Sequence, residues 1–167
     1  MYKPPVLIGV DPSFTATGVS LFQNNILKKV HLIKPSKKSE DRLQDIAMDF
    51  QRLLEILKPE AMAIETQYLS IISSSVIKVI EVKGVLEGIF YAYMFRCGRE
   101  PVIIDVAPSA AKKAVGVHGR LKRGESKKRV AEAVLRLYPD LDGQSQDVMD
   151  SVAIGLEGLR LLSTIKT

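Results

Sequence analysis

Val6-Leu7-Ile8-Gly9-Val10-Asp11-Pro12-Ser13 is an apolar run of strand length that ends on an acid and is then stopped by a proline. A second stretch, Ala61-Met62-Ala63-Ile64-Glu65, repeats the device: a short apolar run that delivers one carboxylate at its C-terminal end. If the two are neighbouring strands of one sheet, Asp11 and Glu65 emerge side by side at the same edge. Asp147-Val148-Met149-Asp150 opens an amphipathic stretch. Residues three apart on a helix share a face, so Asp147 and Asp150 can point at one place. Four converging carboxylates cannot all stay ionised without a cation between them, and hard oxygen ligands suit magnesium or manganese.

The rest of the chain supplies a scaffold for that meeting. Thr17 to Phe22 and Ile26 to Ile33 read as strands joined at the turn signal Asn24-Asn25, giving an antiparallel meander with the first. A helix over 40–57, with Ser39 as its cap, carries Leu43, Ile46, Ala47, Phe50, Leu53, Leu54 and Leu57 on one stripe. Its acids Asp41, Asp45 and Asp49 belong to a solvated face. Pro59 ends it before the strand that carries Glu65. The long helix predicted over 76–96 is apolar on more than one stripe, so it needs cover on two sides, from the sheet and from a second helix or subunit. Val102 to Val106 is the last strand, and helices follow over 109–115, 126–137 and 146–162. Asp105 lies inside its strand, where pairing with a neighbouring base is the simpler reading. The pattern is α/β: a central mixed five-stranded sheet flanked by helices, as a single domain over 1–167.

Composition bounds the setting. The chain has 167 residues, 46% apolar, with a net charge of +5 and a pI near 9.3, which favours a polyanionic partner. The one cysteine, Cys97, excludes an intrachain disulfide and agrees with a reducing, cytoplasmic compartment; its place after an apolar helix predicts a buried thiol. No stretch reads as a signal peptide or a membrane span. Basic residues crowd the loop and helix ahead of the last two acids: Lys112, Lys113, Arg120, Lys122, Arg123, Lys127, Lys128 and Arg129, opposed only by Glu125. That placement favours phosphate binding over a merely solvated face. His118 either orients a phosphate or water or is simply a solvent-exposed loop residue, and His31, on a strand, reads as structural.

In order and spacing these stretches resemble the RuvC Holliday-junction resolvases of the ribonuclease H-like superfamily. Ile8 to Ser13 with Thr17-Gly18 is similar to that family's opening Gly-Ile-Asp-Pro-Gly strand. Ala63-Ile64-Glu65 is similar to its second acidic strand, and Lys83-Gly84-Val85 to an Arg-Gly turn of its long helix. Pro108 to Val117 with Ser126-Lys127-Lys128 is similar to its DNA-facing basic segment, and Asp147 to Ala153 to its closing Asp-Ala-Ala-Asp-Ala-Leu-Ala. The resemblance implies a homodimeric endonuclease that uses two Mg2+ ions per site, with Mn2+ able to substitute, to nick opposed strands of a four-way junction. It implies Asp11, Glu65, Asp147 and Asp150 as catalytic metal ligands. Tyr68 stands where the family places a phenylalanine at the branch point, and its ring can still stack on a base. Ser13 in place of glycine and the long basic loop Arg120-Leu121-Lys122-Arg123 depart from the pattern and touch substrate selectivity. They leave open a broader flap and fork endonuclease, or a junction-binding protein without cleavage. Asp11 to Thr15 also resembles the phosphate-binding opening of actin-like ATPases and sugar kinases, whose second domain 167 residues cannot supply.

Overall fold

The computed structural model describes residues 4–36, 41–67, 73–119 and 122–165. Five strands, β1 (Leu7–Asp11), β2 (Thr17–Gln23), β3 (Ile26–Ile33), β4 (Ala61–Glu65) and β5 (Ile103–Val106), form one sheet in the order β3-β2-β1-β4-β5. β1, β2 and β3 are antiparallel neighbours, while β4 and β5 run parallel to β1, so the sheet is mixed as the sequence predicts. Asn24 and Asn25 both take positive φ, 53° and 61°. A two-residue hairpin turn matching strand twist requires that conformation, and Asn tolerates it.

Helices cover both faces. α1 (Arg42–Leu57) and α2 (Ser74–Arg96) lie on one; α3 (Pro108–Ala114), α4 (Arg123–Leu137) and α5 (Gln146–Ile165) lie on the other. The period of two along each strand decides which residue meets which layer. Ile8 and Val10 of β1, with Met62 and Ile64 of β4, join the core under α1 and α2. Leu7, Ala61 and Ala63 join the core under α3, α4 and α5. Asp11 and Glu65 continue the second set, so both acids face the α5 layer. Asp105 has the opposite parity. It lies beside Lys83 of α2, with 2.9 Å between carboxylate and ammonium, which is the pairing expected for it.

Several boundaries moved, each for a local reason. Asp41 caps α1, its carboxylate accepting from the Gln44 N–H at 3.0 Å; the predicted cap, Ser39, lies outside the described residues. α4 begins at Arg123 rather than 126, since Gly124 and Glu125 are taken into its first turn. Cys97 is exposed, against the expectation of a buried thiol. It stands one residue past α2, beyond the last core residues of that helix, Tyr93 and Met94. Of the apolar residues on α2, Val82, Leu86, Phe90, Tyr93 and Met94 are buried. Ile77, Ile80, Tyr91 and Phe95 remain exposed, Phe95 at 66%.

Candidate active site

α5 crosses the sheet closely enough to set its first turn beside the end of β1. Two glycines allow it. A Cβ on Gly18, the β2 partner of Asp11, would stand 1.9 Å from the Asp147 carbonyl oxygen; one on Gly9 would stand 2.4 Å from that of Ser151. Ser20 fastens the contact, its buried hydroxyl donating to the Ser151 carbonyl at 2.8 Å. Ser145 begins α5, its hydroxyl accepting from the Val148 N–H at 3.4 Å. The acid Asp147 in the first turn is favoured there by the helix dipole. Val148 and Met149, the residues between the two acids, are buried in the core, which turns Asp147 and Asp150 together away from it.

The result is a cavity of about 500 Å³ whose walls include Asp11, Glu65, Asp147 and Asp150. Gln67, Lys112, Ser126 and Lys127 also line it. Burial pushes the Asp11 carboxyl well above the ordinary carboxylate range, and the charges of Asp150, Glu65 and Asp147 push the same way; Lys127 opposes them. Glu65 is raised to about 7, first by burial and then by Asp150, against the Gln67 hydrogen bond and the charges of Lys112 and Lys127. Burial likewise raises Asp150, against an amide hydrogen bond from Gln146 at 2.8 Å. Each of these acids therefore reports on its neighbours, which only groups meeting in one place can do.

Among the described residues, no three carboxylate, histidine or cysteine side chains already close around a cation-sized point. The donor set nevertheless fits a hard divalent cation: it offers oxygen donors only, and Asp11, Glu65 and Asp150 are raised by burial and by neighbouring carboxylate charge, a cost that a cation removes. Asp11, Glu65, Asp147 and Asp150 are the residues that would hold it.

Of the basic residues singled out by sequence, Lys112 and Lys127 line this cavity, while Lys113, on the other side of α3, lines a different one. Lys122 caps α4 and is exposed. Lys128 is 79% exposed, with Glu132 at 3.9 Å. Tyr68 and Arg120 lie outside the described residues, as does the Arg123 side chain. His118 is exposed, and burial, with the charge of Lys29, lowers the His31 imidazole from its ordinary value. Sequence reasoning passed over Gln67 and Gln146. The second stands four residues before Asp150 on a helix, a spacing that signals contact.

Known proteins share this chain's sequence pattern and fold. The profile of the crossover junction endodeoxyribonuclease RuvC family matches residues 7–157. The enzyme of that name from Prochlorococcus marinus is 28% identical over 160 residues, 92% of this chain and 95% of the relative. That from a Synechococcus strain is 26% identical over 165 residues, 91% and 96% of the two chains. In fold, the chain is similar to Thermus thermophilus RuvC solved in complex with a Holliday junction substrate, with a TM-score of 0.73 at 20% identity over 96% and 97% of the two chains. It is also similar to the yeast mitochondrial Holliday junction resolvase Ydc2, with a TM-score of 0.62 at 17% identity over 99% and 82%. This chain, with its mixed five-stranded sheet and its carboxylates gathered at the end of β1, belongs to the RuvC family of metal-dependent crossover junction endodeoxyribonucleases.

Proposed function

We propose that the protein is an endonuclease that resolves four-way DNA junctions by paired nicks, with Asp11, Glu65, Asp147 and Asp150 as its catalytic ligands in one nuclease domain. The observation that carries this reading is the single cavity lined by all four acids together with Lys112 and Lys127. Two Mg2+ ions, or Mn2+ in their place, would activate water and stabilise the leaving 3′ oxygen when bound. The chain's own residues do the rest. Asp11, the one of the four on which the charges of the other three press, would hold the ions together with them. Gln67 and Gln146 hold the Glu65 and Asp150 carboxylates in orientation and oppose their protonation. Lys112 and Lys127 supply positive charge at the same walls for a phosphate.

Lys113, Arg120, Lys122, Arg123 and Lys128 extend the positive ground on which the arms of a junction rest, and Tyr68 stacks on a base at the branch point. A DNA substrate and one exposed thiol suit a cytoplasmic setting. Among the described residues no helix is long and apolar enough to cross a membrane. The homodimer forms on α2: Ile77, Ile80, Gly84, Gly88, Tyr91 and Phe95 recur every three or four residues and face away from the core. A two-fold axis brings such a stripe against itself. Two sites related by that axis meet two opposed strands.

A cleavage panel tests the reading. Four-way junction, flap, fork and linear duplex are incubated with the protein, with and without magnesium. Symmetric nicks confined to the junction are expected; equal cutting of flap and fork identifies a broader branched-DNA nuclease, and binding without any cut excludes catalysis.

A further inference from the structure

α3 divides the basic ground in two. Its Pro108, Ala111 and Lys112 face the carboxylate cavity. Its Ser109 and Lys113 face a second cavity of about 300 Å³, closed on the other side by Glu157 and Arg160 of α5. Glu157 is 3% exposed, and a carboxylate so deeply buried needs a partner. Arg160 provides it twice, Nε donating to Oε2 at 2.8 Å and Nη2 to Oε1 at 2.6 Å. Two of the five guanidinium N–H groups are thus spent, and three remain on a side chain that is 59% exposed and already pinned in place. Lys113 is exposed beside it and makes no ion pair among the described residues. With Glu157 counted, the cavity keeps a net positive charge.

We infer that this second cavity is a seat for one backbone phosphate of the bound DNA, gripped by Arg160, Lys113 and the Ser109 hydroxyl and separate from the scissile phosphate. Glu157 is the brace: it holds the planar guanidinium so that its free donors are presented without further loss of freedom. The spacing sets the register. Glu157 follows Asp150 by seven residues, two turns on the same helix face, or about 10 Å along α5. A DNA strand advances about 3.4 Å of helix axis per nucleotide, so a strand running along α5 would seat a phosphate roughly three nucleotides from the cut. The inference rests on the junction-nuclease reading and adds a place to it.

Neutral methylphosphonate linkages, placed one at a time along the cleaved strand of a four-way junction, test it through equilibrium binding. In wild-type protein, a neutral linkage about three nucleotides from the cut should weaken binding roughly five- to tenfold at 0.1 M salt, the value of about one phosphate contact. The variant K113Q/E157Q/R160Q leaves no buried charge unpaired and should bind the unmodified junction that much more weakly. It should then be indifferent to the neutral linkage at that position. Equal sensitivity of wild type and variant there overturns the seat. So does a titration in which inorganic phosphate binds wild type but not the variant while both respond alike to the modified DNA, which would assign the cavity to a free anion. K113Q alone changes only an exposed side chain and serves if the triple variant melts early: unchanged affinity and an unchanged linkage profile also overturn the inference. A wild-type protein that binds no junction at all removes the parent reading instead.

Discussion

Gly18→Ala measures how closely the α5 layer must approach for the carboxylates to meet. The added Cβ would stand 1.9 Å from the Asp147 carbonyl oxygen and 2.4 Å from its carbonyl carbon. An ordinary contact begins near 3.4 Å, so one backbone must retreat by about 1.5 Å. Neither partner is a flexible side-chain end: one is β2 at its pairing with Asp11, the other the first turn of α5. Overpacking of this kind costs about 1–3 kcal/mol of stability, a fall of roughly 2–12 °C in Tm for a chain of this length. The effect on chemistry is larger. A displacement of about 1 Å at a catalytic group costs about 100-fold in rate, and here Asp147 and Asp150 move together relative to Asp11 and Glu65. Single-turnover nicking of a junction with magnesium should therefore slow by about two orders of magnitude, while circular dichroism and junction binding persist. A G18A protein that nicks at the wild-type rate refutes the claim that this contact positions the acids.

Glu65→Gln and Asp150→Asn should each abolish cleavage yet bind junctions as well as wild type or better, since a carboxylate without a cation repels phosphate; gel-shift and nicking assays on the same preparations decide it. In chelator, stability should depend on pH through Glu65. Its folded value of about 7 exceeds the ordinary 4.5, so between those values the folded chain keeps a proton that the unfolded chain gives up, and stability falls as pH rises. That difference corresponds to about 3 kcal/mol, and melting curves from pH 5 to 8 should be steeper for wild type than for Glu65→Gln; parallel curves would detach Glu65 from its neighbours. Phe95→Glu with Ile80→Glu should turn a dimer into a monomer by analytical ultracentrifugation, and a wild-type protein that is already monomeric at micromolar concentration contradicts the α2 interface. Tyr68→Ala should suppress the fluorescence rise of 2-aminopurine at the branch point, with Tyr68→Phe near normal, because stacking contributes about 1–3 kcal/mol per base; equal signals for wild type and Tyr68→Ala would refute stacking by Tyr68.

Much of this geometry was legible because it depends on local periods. Asp11 and Glu65 each end an apolar strand in the same parity, and Asp147 and Asp150 lie three apart on a helix, so their common face follows from strand and helix repeat alone. Parity also separates Asp105, which shares a sheet with Glu65 but turns toward Lys83 on the opposite layer. What stayed hidden depends on distances between elements far apart in the chain. Nothing local to Gly18 announces that the backbone of Asp147 passes beside it. Lys112 and Lys113 are adjacent in sequence and equal in charge, yet one helical step of about 100° sends them to different cavities. Cys97 looked like core because the run before it is apolar, but the buried stripe of α2 ends at Tyr93 and Met94. Gln146 was the avoidable omission, since its four-residue spacing to Asp150 is itself a contact signal.

A supercoiled plasmid that extrudes a cruciform tests the central claim most directly, because its product records whether two opposed nicks fall within one encounter. With magnesium, paired nicking at the cruciform base converts the plasmid to linear DNA, and in chelator it stays supercoiled; that is the expected result. Accumulation of nicked circles without linear product would show that the two sites do not act as a pair. A plasmid left supercoiled in magnesium by a protein that nonetheless binds the cruciform would contradict nuclease function at the four acids.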